Sequence, residues 1–157
     1  MKHLEMAEIL DPGAVRFTAS VSSKKRLLQD IADHANTVYG LSSEQVFAAL
    51  QDRENLGTTG VGRGVAIPHA RFGAIERIVG LFHRIEKPVN FDSLDRQPVD
   101  LVFTLLAPSD DSPEHLKALA LVSRTLRSED ICKKLRANTK NASLYSILTE
   151  PAKSQAA

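Results

Sequence analysis

Apolar residues recur at two different spacings along the 157-residue chain, and each spacing predicts one kind of element. The first helical stripe comprises Leu27, Leu28, Ile31, Ala35 and Val38. A serine cap at Ser22 or Ser23 and the glycine at position 40 place the two ends of this helix, which reaches Tyr39. The pattern therefore predicts an amphipathic helix in the first quarter of the chain.

Four further helices are predicted from capping residues. Their predicted starts are Ser43, after a capping box of Ser42 and Gln45, then Pro113 after a Ser112 cap, then Ser128 to Asp130, and Asn141. The second helix is expected to end at Glu54 and the last one before Pro151. In the helix from Pro113, the stripe that includes Leu116, Leu119 and Leu126 is expected to face the core.

Runs of residues with strand character lie between these helices. The predicted strands are Ala14–Ala19, Ile78–Ile85 and Val99–Leu106, with a polar turn over Asn90–Gln97. The last of them is apolar enough to be a central strand. Helices and strands alternate without strict regularity, which predicts an α/β fold: a mixed sheet covered by helices on both faces.

The composition is that of a globular protein, with 43% apolar and 25% charged residues. The formal net charge is +1, which does not favour nucleic acid as a partner. One cysteine, Cys132, fits a reducing compartment, and we expect it to be a buried spectator. The stretch from Leu101 to Ala107 is too short to span a bilayer, and the N-terminus has no signal-peptide core. We expect a cytoplasmic protein without membrane insertion.

Four glycines fall within the eight residues Gly57–Gly64, so the backbone there must turn tightly or approach a neighbour closely. Two of them have the spacing of a nucleotide phosphate loop, but Arg63 and Gly64 stand where Lys and Ser or Thr are needed. Nucleotide binding is therefore disfavoured. Since no metal-ligand motif is present either, we expect neither cofactor nor metal.

His69 is the histidine with the most informative surroundings. It follows Pro68, whose missing N–H does not suit a strand interior, so His69 is expected where the apolar run from Val65 must stop. A neutral imidazole is a capable nucleophile at neutral pH. The alternative is an ordinary loop histidine whose hydrogen bonds are satisfied.

Two other residues complete a candidate phosphoryl site. His115 falls in the first turn of its predicted helix, where free N–H groups and the helix dipole favour an anion. Arg53 ends the helix before the glycine loop and offers a fixed positive charge. The alternatives are a solvated first-turn residue for His115 and a residue that complements the helix dipole for Arg53.

A long segment, Arg53–Ala70, closely resembles the active-site segment of the fructose/mannitol-type IIA domains (EIIA type-2) of the phosphotransferase system. A second stretch, Gln97–Phe103 followed by Pro113–Leu116, resembles the second signature of that family. The similarity covers residues 5–150, which we expect to form one domain, with residues 151–157 a frayed tail. The resemblance implies a sheet of about five strands between helices.

The resemblance also implies a histidine phosphotransferase component. His69 would be the phosphorylated nucleophile, with His115 and Arg53 around the phosphoryl group. Backbone N–H groups of the loop Gly62, Arg63 and Gly64 are expected to stabilise the phosphoryl oxygens. We also expect apolar rim residues around His69, with Leu56 and Phe72 as candidates.

Within the family the chain is most similar to the nitrogen-related branch, IIA-Ntr, partly through Cys132–Arg136. That branch implies an HPr-like phosphocarrier protein, NPr, as donor. It also implies regulatory targets such as potassium-transport or sensor-kinase components. Two alternatives stay open: a sugar-specific IIA component that passes phosphate to a IIB domain, and a binding module that keeps the fold without transfer.

Overall fold

Helices and strands alternate along residues 4–110 and 113–150, the part of the chain that the computed structural model describes. The elements are α1 Met6–Ile9, β1 Leu10–Thr18, α2 Lys24–Tyr39, α3 Ser43–Asn55, β2 Gly60–Gly62, β3 Val65–Ala66, β4 His69–Arg71, β5 Val79–Val89, β6 Val99–Ala107, α4 Glu114–Arg127, α5 Glu129–Arg136 and α6 Asn141–Thr149. The predicted cap Ser112 and the predicted tail 151–157 lie outside the described residues. No helix of the described ranges is long and apolar enough to cross a membrane.

Local capping chemistry sets most of the helix ends. Ser23, Ser42 and Ser128 each accept a hydrogen bond from the backbone N–H three residues later. Gly40 ends α2 in the left-handed conformation, with φ at 70°. These caps confirm the predicted ends of α2 and the predicted starts of α3 and α5.

The six strands form one mixed sheet with β5 and β6 at its centre. The order is β1-β5-β6-β3-β2, and β4 pairs with β6 beyond the end of β3. The strands β1 and β5 are parallel, β5 and β6 antiparallel, and both β3 and β4 parallel to β6. The fold class is confirmed, and the sheet has one strand more than the resemblance implied.

Helices cover both faces of this sheet. The side chains of successive strand residues point to opposite faces, and seven consecutive residues at the start of β5 are buried. His83 of β5 faces α2, where it meets His34. The next residue, Arg84, faces the other side and donates from Nη1 to the Asn138 carbonyl oxygen at 2.6 Å, just after α5. A sheet buried on both faces accounts for the nearly continuous apolar sequence of β6.

The start and orientation of α4 differ from the prediction. Pro113 is the N-cap of α4 and Glu114 its first residue, so the helix begins one position late. Leu116 was predicted to face the core but is 69% exposed, whereas Ala118 and Val122 are fully buried. Apolar residues lie on more than one side of α4, so the spacing alone does not select the face that packs on β6.

A buried pair of histidines joins α2 to the sheet. His34 Nε2 lies 2.8 Å from the carbonyl oxygen of Gly13 and His34 Nδ1 lies 2.9 Å from His83 Nε2. The carbonyl can only accept, so His34 carries a proton on Nε2. Because burial disfavours the charged form of both rings, Nδ1 of His34 is the acceptor and Nε2 of His83 the donor. Burial is the main cause that lowers the pKa of each ring, and the charge of Arg16 lowers both further.

We predict that the free energy of unfolding falls as the pH drops below about 6.5, the ordinary pKa of histidine. Both pKa values are lowered in the folded state, so the unfolded chain binds more protons there and acid favours unfolding. Urea unfolding between pH 5 and pH 7.5 measures this slope. H83Q keeps a donor to His34 but removes one titrating ring, so its slope should be shallower. An equal slope in H83Q would show that the pair is not the source.

Candidate functional site

His69 is the first residue of β4 and stands at a break in the sheet. Pro68 separates β3 from β4 because it has no N–H to donate to the ladder. Its carbonyl oxygen still accepts from Leu105 N at 2.9 Å, so the chain stays in register and His69 pairs with Leu105. Pairing with β6 therefore continues past Pro68 for three residues, although the sequence predicted that the strand stops there. The His69 side chain is half-buried.

One hydrogen bond fixes the tautomer of His69. Its Nδ1 lies 2.8 Å from the carbonyl oxygen of Ile67. A carbonyl oxygen only accepts, so Nδ1 carries the proton and Nε2 of the neutral ring has a free lone pair. The arrangement is that of a nucleophile whose reactive atom is Nε2.

His115 lies beside His69, as the sequence predicted. The two ring centroids are 5.9 Å apart, and the ring planes meet at 51°. His115 is the second residue of α4, so it lies in the first turn, where the helix dipole is positive. Its Nδ1 is buried without a hydrogen-bond partner among the described residues. Partial burial lowers the pKa of His115 first, and the charges of His69 and Arg71 lower it further.

Arg53 lies in the last turn of α3, and α3 packs against β4. Its side chain is half-buried, and Nη1 donates to the carbonyl oxygen of Gly57 at 3.0 Å. This bond holds the guanidinium at the turn after α3, the helix that packs against the strand of His69. The guanidinium forms no hydrogen bond with His69.

A buried carboxylate, which sequence reasoning missed, fixes the turn beyond Arg53. Glu54 is 7% exposed and accepts from Thr59 N at 3.0 Å and from the Thr59 hydroxyl. Lys24 of α2 pairs with the same carboxylate at 3.0 Å. Nothing in the sequence pattern marks Glu54 as buried, because its partners come from a distant helix and from the turn.

The second half of the glycine-rich segment lies away from His69. The carbonyl oxygen of Gly64 accepts from the N–H groups of Asp100 and Leu101, at the start of β6. His69 pairs with Leu105, four residues further along, which is about 13 Å at the usual strand rise.

Gly62, Arg63 and Gly64 therefore do not surround the candidate nucleophile. Arg136 holds this loop instead, with a bidentate ion pair to Asp100 and a bond from Nη2 to the Arg63 carbonyl oxygen at 2.9 Å. Gly64 has a φ of 79°, which side-chain-bearing residues rarely adopt, and a Cβ there would also lie 2.6 Å from Arg136 Nη2. The loop of Gly62, Arg63 and Gly64 is therefore too far from His69 to stabilise a phosphoryl group there.

Arg71 is a second residue of the site that sequence reasoning missed. It is the last residue of β4, two positions after His69, so both side chains leave the same face of the strand. Its Nη1 donates to the carbonyl oxygen of Asp110, in the connection between β6 and α4. Alternation of side chains along a strand would have placed Arg71 on the same face as His69. The sequence analysis could not use it, because it predicted no strand at residues 69–71.

Two exposed apolar side chains lie on or directly after the helices that carry the predicted site residues Arg53 and His115. Leu56, after α3, is 84% exposed, and Leu116 follows His115 directly with most of its surface in solvent. Leu56 was a predicted rim residue and is exposed as that role requires. Phe72 was the other candidate, but it is only 6% exposed and belongs to the core, so it forms no rim.

Comparisons with known proteins agree with this architecture. The family model described as "Phosphoenolpyruvate-dependent sugar phosphotransferase system, EIIA 2" matches residues 8–150. The chain belongs to this EIIA 2 family. It is 47% identical over 148 residues to the nitrogen regulatory protein of Bradyrhizobium diazoefficiens, covering 94% of this chain and 97% of that relative.

Two solved structures of EIIA proteins share the fold. The nitrogen regulatory protein IIA-Ntr of Neisseria meningitidis superposes with a TM-score of 0.85 at 36% identity, covering 92% of this chain and 99% of that one. The IIA mannitol protein of Escherichia coli gives a TM-score of 0.74 at 19% identity, covering 88% and 97%, which shows the fold alone. The family resemblance and its nitrogen-related branch are therefore confirmed.

We predict that the pKa of His115 lies below that of an ordinary histidine and rises in the variant H69Q. The reason is that His69 adds a repelling charge to the cost of partial burial, and glutamine removes that charge. An NMR titration of the His115 ring protons in both proteins measures the shift. A pKa at the ordinary value in the wild type, or an unchanged pKa in H69Q, would contradict the electrostatic coupling of the two rings.

Proposed function

We propose that this EIIA 2 protein is a phosphocarrier of the nitrogen-related phosphotransferase system. In this role Nε2 of His69 accepts a phosphoryl group from an HPr-like donor, NPr, in the cytoplasm. The state of His69 then regulates partner proteins. One observation supports this most. The half-buried ring of His69 has a bare Nε2, and its centroid lies 5.9 Å from that of His115, in the first turn of α4.

The transfer needs no additional proton. The Nε2 lone pair of His69 forms the new N–P bond while the N–P bond of the donor phosphohistidine breaks, and its electron pair returns to the donor ring. The proton on Nδ1 of His69 stays in place, so the phosphorylated ring is an imidazolium whose charge faces the Ile67 carbonyl oxygen. This hydrogen bond becomes stronger when its donor is charged.

Phosphoryl transfer of this kind depends mainly on positioning and on charge stabilisation. We assign His115, at the positive end of α4, to hydrogen-bond a phosphoryl oxygen. We assign Arg53 to supply positive charge from α3. The exposed Leu56 and Leu116 would contact the donor around the half-buried His69.

Regulation follows from charge in this proposal. The phosphoryl group brings about −1.5 to −2 charges, of which the imidazolium ring offsets about one, so phosphorylation makes the surface at His69 more negative. A partner that contacts this surface would discriminate the two states by electrostatics. Potassium-transport and sensor-kinase components are the classes of target that the nitrogen-related branch suggests. The nitrogen-related role is favoured over the sugar-specific one by the 47% identity to a nitrogen regulatory protein.

We predict that NPr, charged through its enzyme I with radiolabelled phosphoenolpyruvate, labels the chain at His69. The label should be acid-labile, as N–P bonds are, and absent from H69A, because within residues 4–110 and 113–150 no other histidine ring has a bare, accessible nitrogen beside His115. Mass spectrometry of peptides at neutral pH locates the label. Label on another residue, with H69A still accepting phosphate, would refute the proposal. Onward transfer to a fructose-specific IIB domain would instead support the sugar-transport alternative.

We predict that H115A and R53Q each slow phosphoryl transfer, on the order of 100-fold for a lost charge-stabilising donor. Both side chains are only half-buried, so the fold should persist, which circular dichroism checks. R53K keeps the charge and should recover part of the rate. Rapid-quench measurement of transfer from NPr gives the rates. An unchanged rate in H115A would show that His115 has no role in transfer and is an ordinary solvated residue of the first turn.

A further inference from the structure

Arg71 holds the connection that leads to His115. Its guanidinium donates to the carbonyl oxygen of Asp110, and α4 begins four residues later at Glu114. This contact is a hydrogen bond from a cation to a neutral acceptor. It joins the strand of the candidate nucleophile to the segment that precedes the second imidazole.

The same guanidinium lies within reach of a phosphoryl group on His69. Residues two apart on a strand have Cα atoms about 6.7 Å apart with side chains on the same face, and an arginine side chain spans a comparable distance. Arg71 also acts electrostatically on His115, whose ring centroid is 5.9 Å from that of His69. Arg71 is exposed, so its side chain can change partners without rearranging the core.

We propose that Arg71 is a phosphoryl-binding residue: when His69 is phosphorylated, the Arg71 guanidinium leaves the Asp110 carbonyl oxygen and binds a phosphoryl oxygen. A phosphoryl oxygen carries negative charge and a carbonyl oxygen does not, so the guanidinium gains a Coulombic attraction that the Asp110 carbonyl cannot provide. The planar guanidinium also suits two phosphoryl oxygens at once. This inference rests on the proposed function, because it requires phosphorylated His69.

The exchange of partners would carry the phosphorylation signal into the groove beside the site. Asp110 and His115 line this groove of about 500 Å³, between α1, the residues just before β5 and the start of α4. Other lining residues include Ile9, Ile78 and Pro108. Release of the Asp110 carbonyl by Arg71 changes one wall of this groove.

The direct test is a ³¹P NMR titration of the phosphorylated protein. A cation on the phosphoryl group favours its dianion, so we expect the titration midpoint in R71Q to lie about one pH unit above the wild type, tenfold in proton affinity. R71K keeps a charge and should fall between the two. R124Q, an exposed arginine of α4, is the matched control and should equal the wild type.

Amide NMR signals test the exchange of partners. In the wild type, phosphorylation should shift the amides of residues 107–110. In R71Q these amides should already be shifted before phosphorylation and move little afterwards. Equal shifts on phosphorylation in both proteins would overturn the exchange.

The outcomes separate the two proposals. Failure of the wild type to form phosphohistidine at position 69 overturns the proposed function. A wild type that forms it, with the same titration midpoint in R71Q, overturns the role of Arg71 alone.

Discussion

The hydrogen bond from His69 Nδ1 to the Ile67 carbonyl oxygen fixes which ring nitrogen is available for chemistry. Pro68 makes this bond possible, because it interrupts the ladder between β3 and β4 while its own carbonyl stays bonded to Leu105. The ring therefore bonds its own backbone two residues back, and Nε2 points away with its lone pair free. Without this bond either tautomer would be available, and the form with a free Nε2 lone pair would be populated only in part.

The sheet brings the other groups to this nitrogen. The parallel pairing of β4 with β6 sets His69 beside Leu105, close to the end of β6, from which the chain continues into α4. The first turn of α4 then lies against the ring, with its dipole and His115 together. Two cations come from other elements: Arg53 from the end of α3 and Arg71 from β4 itself. In the proposed function, an anion at His69 would face cations or a helix dipole from three elements, α3, β4 and α4.

The glycine-rich segment contains two turns with different partners. Glu54 and Lys24, both shielded from solvent, hold the first turn at Thr59 next to α3. Arg136 and Asp100 hold the second turn, at the other end of the short β3. Gly60 is required because a Cβ there would meet Ser93 Oγ at 2.1 Å, and Gly64 because its φ is 79°. Dense glycine therefore reflects packing here at least as much as ligand binding.

The sequence by itself determined the local features of this protein. Serine caps and Gly40 set helix ends, apolar runs set β5 and β6, and the motif around His69 identified the family, since each depends on residues close together in the chain. Tertiary structure alone decided which face of α4 is buried, where the loop at Gly64 lies and that Arg71 shares a face with His69. These depend on strand register and helix packing between segments far apart in sequence, where several arrangements satisfy the same local pattern.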